Sequence, residues 1–123
     1  MTTLTEKPHA GSFILSMSGD GNLSIDYIVV ASGAGVLYPG SVLGVITASG
    51  KYVLCDPAAT DGSQNAAAIL YDRVDATSAD APAVAVTRHA EVYLSGLIWK
   101  SGMNATAQAA AITQLAAALI VAR

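Results

Sequence analysis

The densest apolar patterning lies between Pro39 and Asp72, PGSVLGVITASGKYVLCDPAATDGSQNAAAILYD. Pro39-Gly40 makes a turn, and Val42 to Thr47 follows as an apolar run. Ala48-Ser49-Gly50 breaks that run, and Lys51 to Cys55 resumes it. Two β-branched and aromatic runs separated by a short Gly-bearing gap predict a β-hairpin. The turn-forming residues of Asp56 to Asn65 predict a polar loop, and Ala67 to Tyr71 a third short strand. The stretch reads as a scaffold.

The flanking sequence is also strand-like. Phe13 to Met17 is a short strand, Ser18-Gly19-Asp20-Gly21-Asn22 a turn, and Leu23 to Val30 alternates before becoming wholly apolar. This predicts a second hairpin, with Gly19 or Gly21 at positive φ. Ala31 to Gly35 is a flexible connection, and Val36-Leu37-Tyr38 leads into Pro39. Val74 to Asp80 is a turn-rich connection, Ala83 to Arg88 a strand, and Ala90 to Leu94 a strand that continues it or pairs with it.

Only the end of the chain is helical in pattern. Asn104 is a good N-cap, and Ala105 to about Ala117 holds no Gly or Pro. Ile112, Leu115 and Leu119 fall on one face, with Thr106 and Thr113 opposite. Leu119-Ile120-Val121 then favours a short strand or an extended tail. The predicted class is mainly β, with many short strands and one C-terminal helix.

The first residues differ from all of this. Met1 to Gly11 is polar and Thr-rich with one proline, which predicts an extended, mobile arm. Thr2-Thr3-Leu4-Thr5 has strand propensity without a local partner. It is either a disordered start or a strand that adds to the sheet of another protein. The expected organisation is an arm over residues 1–12 and a single domain over residues 13–123.

Composition narrows the function classes. Of the 123 residues, 53% are hydrophobic, but alanine supplies the largest share and aromatics only 6%, so the expected core is thin. Charged residues make up 12%, about half of the roughly 25% usual for soluble domains. A surface so poor in charge is ordinarily covered, most simply by self-association. The net charge of −3 and the scatter of Lys7, Lys51, Arg73, Arg88, Lys100 and Arg123 argue against a nucleic-acid binder. No basic, apolar leader opens the chain, and no run reaches the roughly 18 apolar residues of a membrane span. Ala105 to Ala122, the longest candidate, is interrupted by Thr113 and Gln114. Production in a reducing cytosol is the expectation.

Each catalytic candidate weakens on inspection. Cys55 is the sole cysteine, which excludes an intrachain disulfide, and its strand-end position favours a buried free thiol over a reactive one. His9 lies in the arm and His89 at a strand end, neither with a second His at metal-ligand spacing. Gly33-Ala34-Gly35 lacks the Lys-Ser/Thr of a phosphate loop and leads into a strand. Asp56, Asp61, Asp72, Asp75 and Asp80 all adjoin turn residues, where a carboxylate caps local backbone N–H groups. Asp20-Gly21-Asn22 is too short for a calcium loop. Asn22-Leu23-Ser24 and Asn104-Ala105-Thr106 match a glycosylation pattern that has meaning only on secretion. No metal or cofactor is expected. Trp99, the only tryptophan, is either a central anchor or an interface residue.

An ordered set of segments runs through almost the whole chain. It comprises Met1-Thr2-Thr3-Leu4-Thr5-Glu6, Pro39-Gly40-Ser41-Val42-Leu43-Gly44 and Gly50-Lys51-Tyr52-Val53. Thr60-Asp61-Gly62-Ser63, Ala66 to Asp72, Val74-Asp75-Ala76-Thr77 and Arg88-His89-Ala90-Glu91-Val92 complete it. In this combination the chain resembles the head decoration proteins of lambda-like tailed phages. The resemblance implies a β-clip-like fold, a bent two-stranded ribbon with small sheets and one helix. It implies a homotrimer on the outside of the icosahedral head at its three-fold positions, added after head expansion and reinforcing the shell against DNA pressure. In such proteins the N-terminal arm becomes ordered on the capsid and adds a strand to the major capsid protein. Here that role falls to Thr2, Thr3, Leu4, Thr5, Glu6, Lys7, Pro8 and His9. Tyr52 and Trp99 are the expected trimer-interface residues. The arm is shorter than that of the best-known member and differently composed.

Three function classes are thus in view. The first is a non-enzymatic capsid decoration trimer. The second is a small-ligand or glycan-binding β module of a virion, which calls for a pocket lined by Tyr27, Tyr38, Tyr52 or Tyr93. The third is an enzyme using Asp residues with His89, which calls for a buried carboxylate–histidine cluster.

Overall fold

A computed structural model of the chain describes residues 6–18 and 23–123. Among these residues are ten short strands and one α-helix: β1 (Ile14–Met17), β2 (Ile25–Val30), β3 (Gly35–Leu37), β4 (Val42–Val45), β5 (Tyr52–Leu54), β6 (Ala66–Leu70), β7 (Val74–Ala76), β8 (Ala81–Val86), β9 (Ala90–Val92), α1 (Ala105–Ala117) and β10 (Ile120–Ala122). The class is mainly β with one C-terminal helix, as the pattern predicts.

Five strands close a barrel in the order β2-β5-β4-β6-β8. Its centre is the predicted hairpin, with Leu43 opposite Leu54 and Val45 opposite Tyr52. The reversal between them is closed by the N–H of Ile46 on the Lys51 carbonyl at 2.8 Å. The 56–65 loop then returns the chain to β6, which lies antiparallel to β4 with Val42 opposite Ile69.

Alternation along the barrel strands explains why they read as unbroken apolar runs. Val42, Ile69 and Val86 point into a cluster shared with Phe13, Val92, Leu97, Leu115 and Ile120. Their neighbours Leu43, Ala68, Leu70 and Ala85 point the other way, into a second cluster with Ile28, Val30 and Leu37. Both faces are therefore buried, and polar positions would leave hydrogen-bonding groups without water. Ala68 and Ala85 are fully buried, consistent with a narrow five-stranded wall that has no room for larger side chains. The core is divided into two clusters, with alanine where strands crowd.

The predicted neighbours of several strands are wrong. β1 does not form a hairpin with β2. It pairs antiparallel with β9, while β2 pairs along its length with β8. The reason is burial: Phe13, just before β1, belongs to the first cluster, and Ile28 and Val30 of β2 belong to the second. Likewise β9 neither continues nor pairs with β8. It is the middle strand of a three-stranded sheet, β1-β9-β10, with β10 parallel to it. Val74 to Asp80 is not wholly a connection, since β7 pairs antiparallel with β3.

The helix begins where predicted, with the Asn104 side-chain oxygen accepting the Ala107 N–H at 2.8 Å. Ala111 and Leu115 form its buried face. Leu119 does not join them: it sits at φ 63° and is 55% exposed. Its N–H bonds the Ala116 carbonyl at 2.9 Å, which ends the helix in a left-handed residue and breaks the period. The chain then enters β10.

Candidate functional site

The arm begins to take shape at its base. Thr2, Thr3, Leu4 and Thr5 lie outside the described residues, and Glu6 to Ala10 is exposed. A 2.8 Å contact joins His9 Nε2 to Glu6 Oε1. Lys7 Nζ stands over the Tyr38 ring, 5.1 Å from its centroid. The N–H of Gly11 donates to the Tyr71 carbonyl at 2.9 Å, and the Ile14 N–H to the Gly11 carbonyl at 3.0 Å. Gly11 has φ +67°, and a Cβ there would stand 3.1 Å from the Tyr71 ring. Backbone and aromatic contacts thus hold Lys7 to Gly11 against Tyr38 and Tyr71.

Tyr52 and Trp99 belong to different parts of the molecule. Trp99 packs on the first cluster and keeps part of its surface open. Tyr52 packs on the second, in β5, where burial pushes its hydroxyl pKa up. Tyr52 also lines an open groove of about 740 Å³ with Tyr27, Val29, Lys51 and Pro82. Tyr27 projects from β2 with 92% of its surface free. Of the four tyrosines considered as pocket residues, these two come together. Tyr38 faces Lys7 instead, and Tyr93 precedes a single 3-10 turn at Leu94–Gly96.

Several of the groups that could have supplied chemistry are tied into local structure. His89 has φ 52°, and its carbonyl accepts from Ser24 Oγ at 2.8 Å. Asp61 accepts from the N–H and the hydroxyl of Ser63, at 3.0 and 2.6 Å. Asp75 does the same with Thr77, and Asp56 accepts the Ala58 N–H. These bonds hold the Asp61 and Asp75 carboxyls below the usual range. Cys55 is buried, its Sγ 3.6 Å from the Gln64 carbonyl, and burial pushes its thiol up. Among the described residues no group of His, Cys, Asp and Glu is placed to hold a metal ion.

Sequence reasoning missed the ion pairs that use the scattered basic residues. Arg88 bonds Asp26 and the Leu23 carbonyl, the latter at 2.7 Å, and Thr87 adds a bond to Asp26 at 2.9 Å. Those bonds from Arg88 and Thr87 lower the Asp26 pKa. Lys51 pairs with Asp80 at 2.6 Å. Arg123 reaches Glu91, which Ser16 also bonds. Such partners are far apart in sequence and carry no motif.

The described residues form a β-rich body with a docked helix and an exposed segment at Glu6 to Ala10. The class is the head decoration proteins of phages, for the family model described as bacteriophage lambda head decoration protein D matches residues 3–120. The chain belongs to that family. No curated protein matches it. The family is one of structural capsid proteins, which locates this chain at the virion head. Among the described residues, no helix is long and apolar enough to cross a membrane.

Proposed function

We propose that the protein is a homotrimer that binds the exterior of the expanded icosahedral head at its three-fold positions and stabilises it against packaged DNA. The observation that carries this reading is the family match over residues 3–120, which takes in most of the arm as well as the body. In this reading residues 1–12 are the arm and residues 13–123 a β-clip-like body. Thr2 to His9 contact the major capsid protein, and the protein is made late, in the host cytoplasm, without nucleic-acid or membrane partners.

Physical considerations support the assignment. Strand addition takes its affinity from main-chain hydrogen bonds, which suits an undistinguished Thr-rich segment. Three weakly binding arms on one body gain avidity of roughly 10² to 10⁴ over a single arm. The exposed Tyr27 and Val29 beside Tyr52 form an apolar surface suited to a subunit contact. Trp99, with part of its ring surface open, is the second interface residue in this reading.

Deleting residues 2–9 tests the arm. The expected product is a folded trimer by light scattering that no longer binds expanded heads. Unchanged decoration by the truncated protein would refute the arm's role, and a strict monomer that ignores heads would refute the whole reading. The Tyr27–Tyr52 groove also supports a second reading, a small-ligand or glycan module of a virion, because aromatic faces stack on sugar rings. Tyr27→Ala separates the two: loss of trimer mass favours the subunit contact, and a trimer that loses glycan-array binding favours the module.

A further inference from the structure

Two tyrosines of the body hold the base of the arm, although nothing in the arm's own pattern calls for it. Lys7 Nζ lies 5.1 Å from the centroid of the Tyr38 ring. That distance is within the roughly 6 Å over which an aromatic face attracts a cation. Four residues on, the N–H of Gly11 is bonded to the Tyr71 carbonyl, and its Cα rests against the Tyr71 ring with no comfortable room for a side chain. Both tyrosines sit beside barrel structure: Tyr38 precedes the Pro39 turn into β4, and Tyr71 follows β6, with its N–H on the Val84 carbonyl at 2.9 Å. The two contacts bracket residues 7–11, and just past them the N–H of Ser12 returns to the His9 carbonyl at 3.1 Å.

We propose that Tyr38 and Tyr71 are positioning residues for capsid binding: Tyr38 latches the arm through Lys7, and Tyr71 seats the Gly11 bend from which it departs. This inference rests on the proposal that the arm binds the capsid. A free arm loses the conformational entropy of every residue it orders on binding. A base already held on the body leaves only the outer residues to be ordered. It also delivers them to the shell at one angle, which raises the effective concentration of each arm at its site. The latch uses an exposed cation on a half-buried ring, so its contribution is about two- to five-fold in affinity per arm. Where three arms act together the effect multiplies to roughly ten- to a hundred-fold.

The test uses the full chain and undecorated, expanded heads of the encoding phage. Lys7→Gln and Tyr38→Leu each weaken binding by the stated factor, while Tyr38→Phe and Lys7→Arg retain it, since both keep a cation over a ring. The double variant Lys7→Gln/Tyr38→Leu is no weaker than either single one, because both remove the same contact. A merely structural role for Tyr38 would lower the melting temperature and would leave Lys7→Gln, on the exposed arm, binding normally. In the free protein, NMR reads the latch directly as a ring-current shift of the Lys7 ε-methylene protons that vanishes in Tyr38→Leu. Wild-type binding by Lys7→Gln, or strictly additive losses in the double variant, would overturn the latch. If deletion of residues 2–9 abolishes binding while these variants bind normally, the latch alone fails. If the deletion binds normally, the arm reading fails and the latch with it.

Discussion

Gln114 is one of the two residues that interrupt the apolar C-terminal run, and it joins the helix to the barrel. Its Oε1 accepts the Ala66 N–H at 2.7 Å, and its Nε2 donates to Asn65 Oδ1 at 3.1 Å. Ala66 is 7% exposed and opens β6, opposite Gly44 at the irregular end of the β4–β6 ladder. Replacing Gln114 with Met keeps the length of the side chain and removes both hydrogen bonds. An orphaned buried amide costs about 1–3 kcal/mol, and the exposed bond to Asn65 adds only a few tenths. About 2 kcal/mol is therefore expected, or a fall of about 8 °C in melting temperature for a chain of this size. Gln114→Glu retains an acceptor for Ala66 and should lose about 0.5 kcal/mol. Denaturant titrations at one fixed protein concentration separate the two variants, with the slope m unchanged. Amide exchange at Ala66 should rise in the Met variant alone. If Met and Glu variants were equally stable, or Met fell within about 0.5 kcal/mol of wild type, the bond to Ala66 would not be what docks the helix.

Four further outcomes follow from close contacts, charge and burial. Gly44→Ala would place its Cβ 2.3 Å from the Ser63 carbonyl oxygen and 2.7 Å from the Ser63 Cα. Backbone must move, so a loss of about 3 kcal/mol or more is expected in urea titrations. Gly50→Ala, whose Cβ meets nothing within 4 Å but whose φ is +72°, should lose only about 1 kcal/mol. The Asp26 carboxyl is held below its ordinary 3.8, so its contribution is fully present above that pH and is lost as pH falls below it. Asp26→Asn should lower stability by about 1 kcal/mol at neutral pH, an amount discounted for the open setting of the pair, and the difference from wild type should vanish in acid melts. The Cys55 thiol should react with a disulfide reagent at pH 8 only as fast as the protein unfolds; rapid labelling of the native protein would contradict its burial.

What was legible in the sequence was local. The β4–β5 hairpin is carried by two β-rich runs and Gly50, and the helix start by Asn104, whose side chain caps it as the pattern demands. The partners of β1 and β2 were not legible. Adjacent strands usually pair, and Ser18 to Asn22 has ordinary turn composition. What decides the pairing is which cluster receives Phe13, and that depends on Val92, Leu115 and Ile120 far along the chain. β7 was hidden by its brevity, for the alternation of buried Val74, exposed Asp75 and buried Ala76 spans only three residues. Its Asp75 also makes the turn with Thr77 that dominates the local composition.

The arm presents the same contrast at the level of function. The exposure of Glu6 to Ala10 was readable, as was the match to the family, because both lie in the order of residues. The arm's fastening was not, because Tyr38 and Tyr71 read as ordinary strand-end aromatics. The alanine content that predicts a thin core has a related explanation. With β4, β6 and the Ala85–Val86 end of β8 buried on both faces, small side chains at Ala68 and Ala85 let the strands close a narrow barrel. A barrel closed in this way gives β4 and β6 no free edge between them. Tyr71, directly after β6, is then carried on that wall, while Tyr38 lies between β3 and the Pro39 turn into β4. In the proposed arrangement Tyr71 couples the Gly11 bend to the barrel, whereas the same residue on a long loop would move with it.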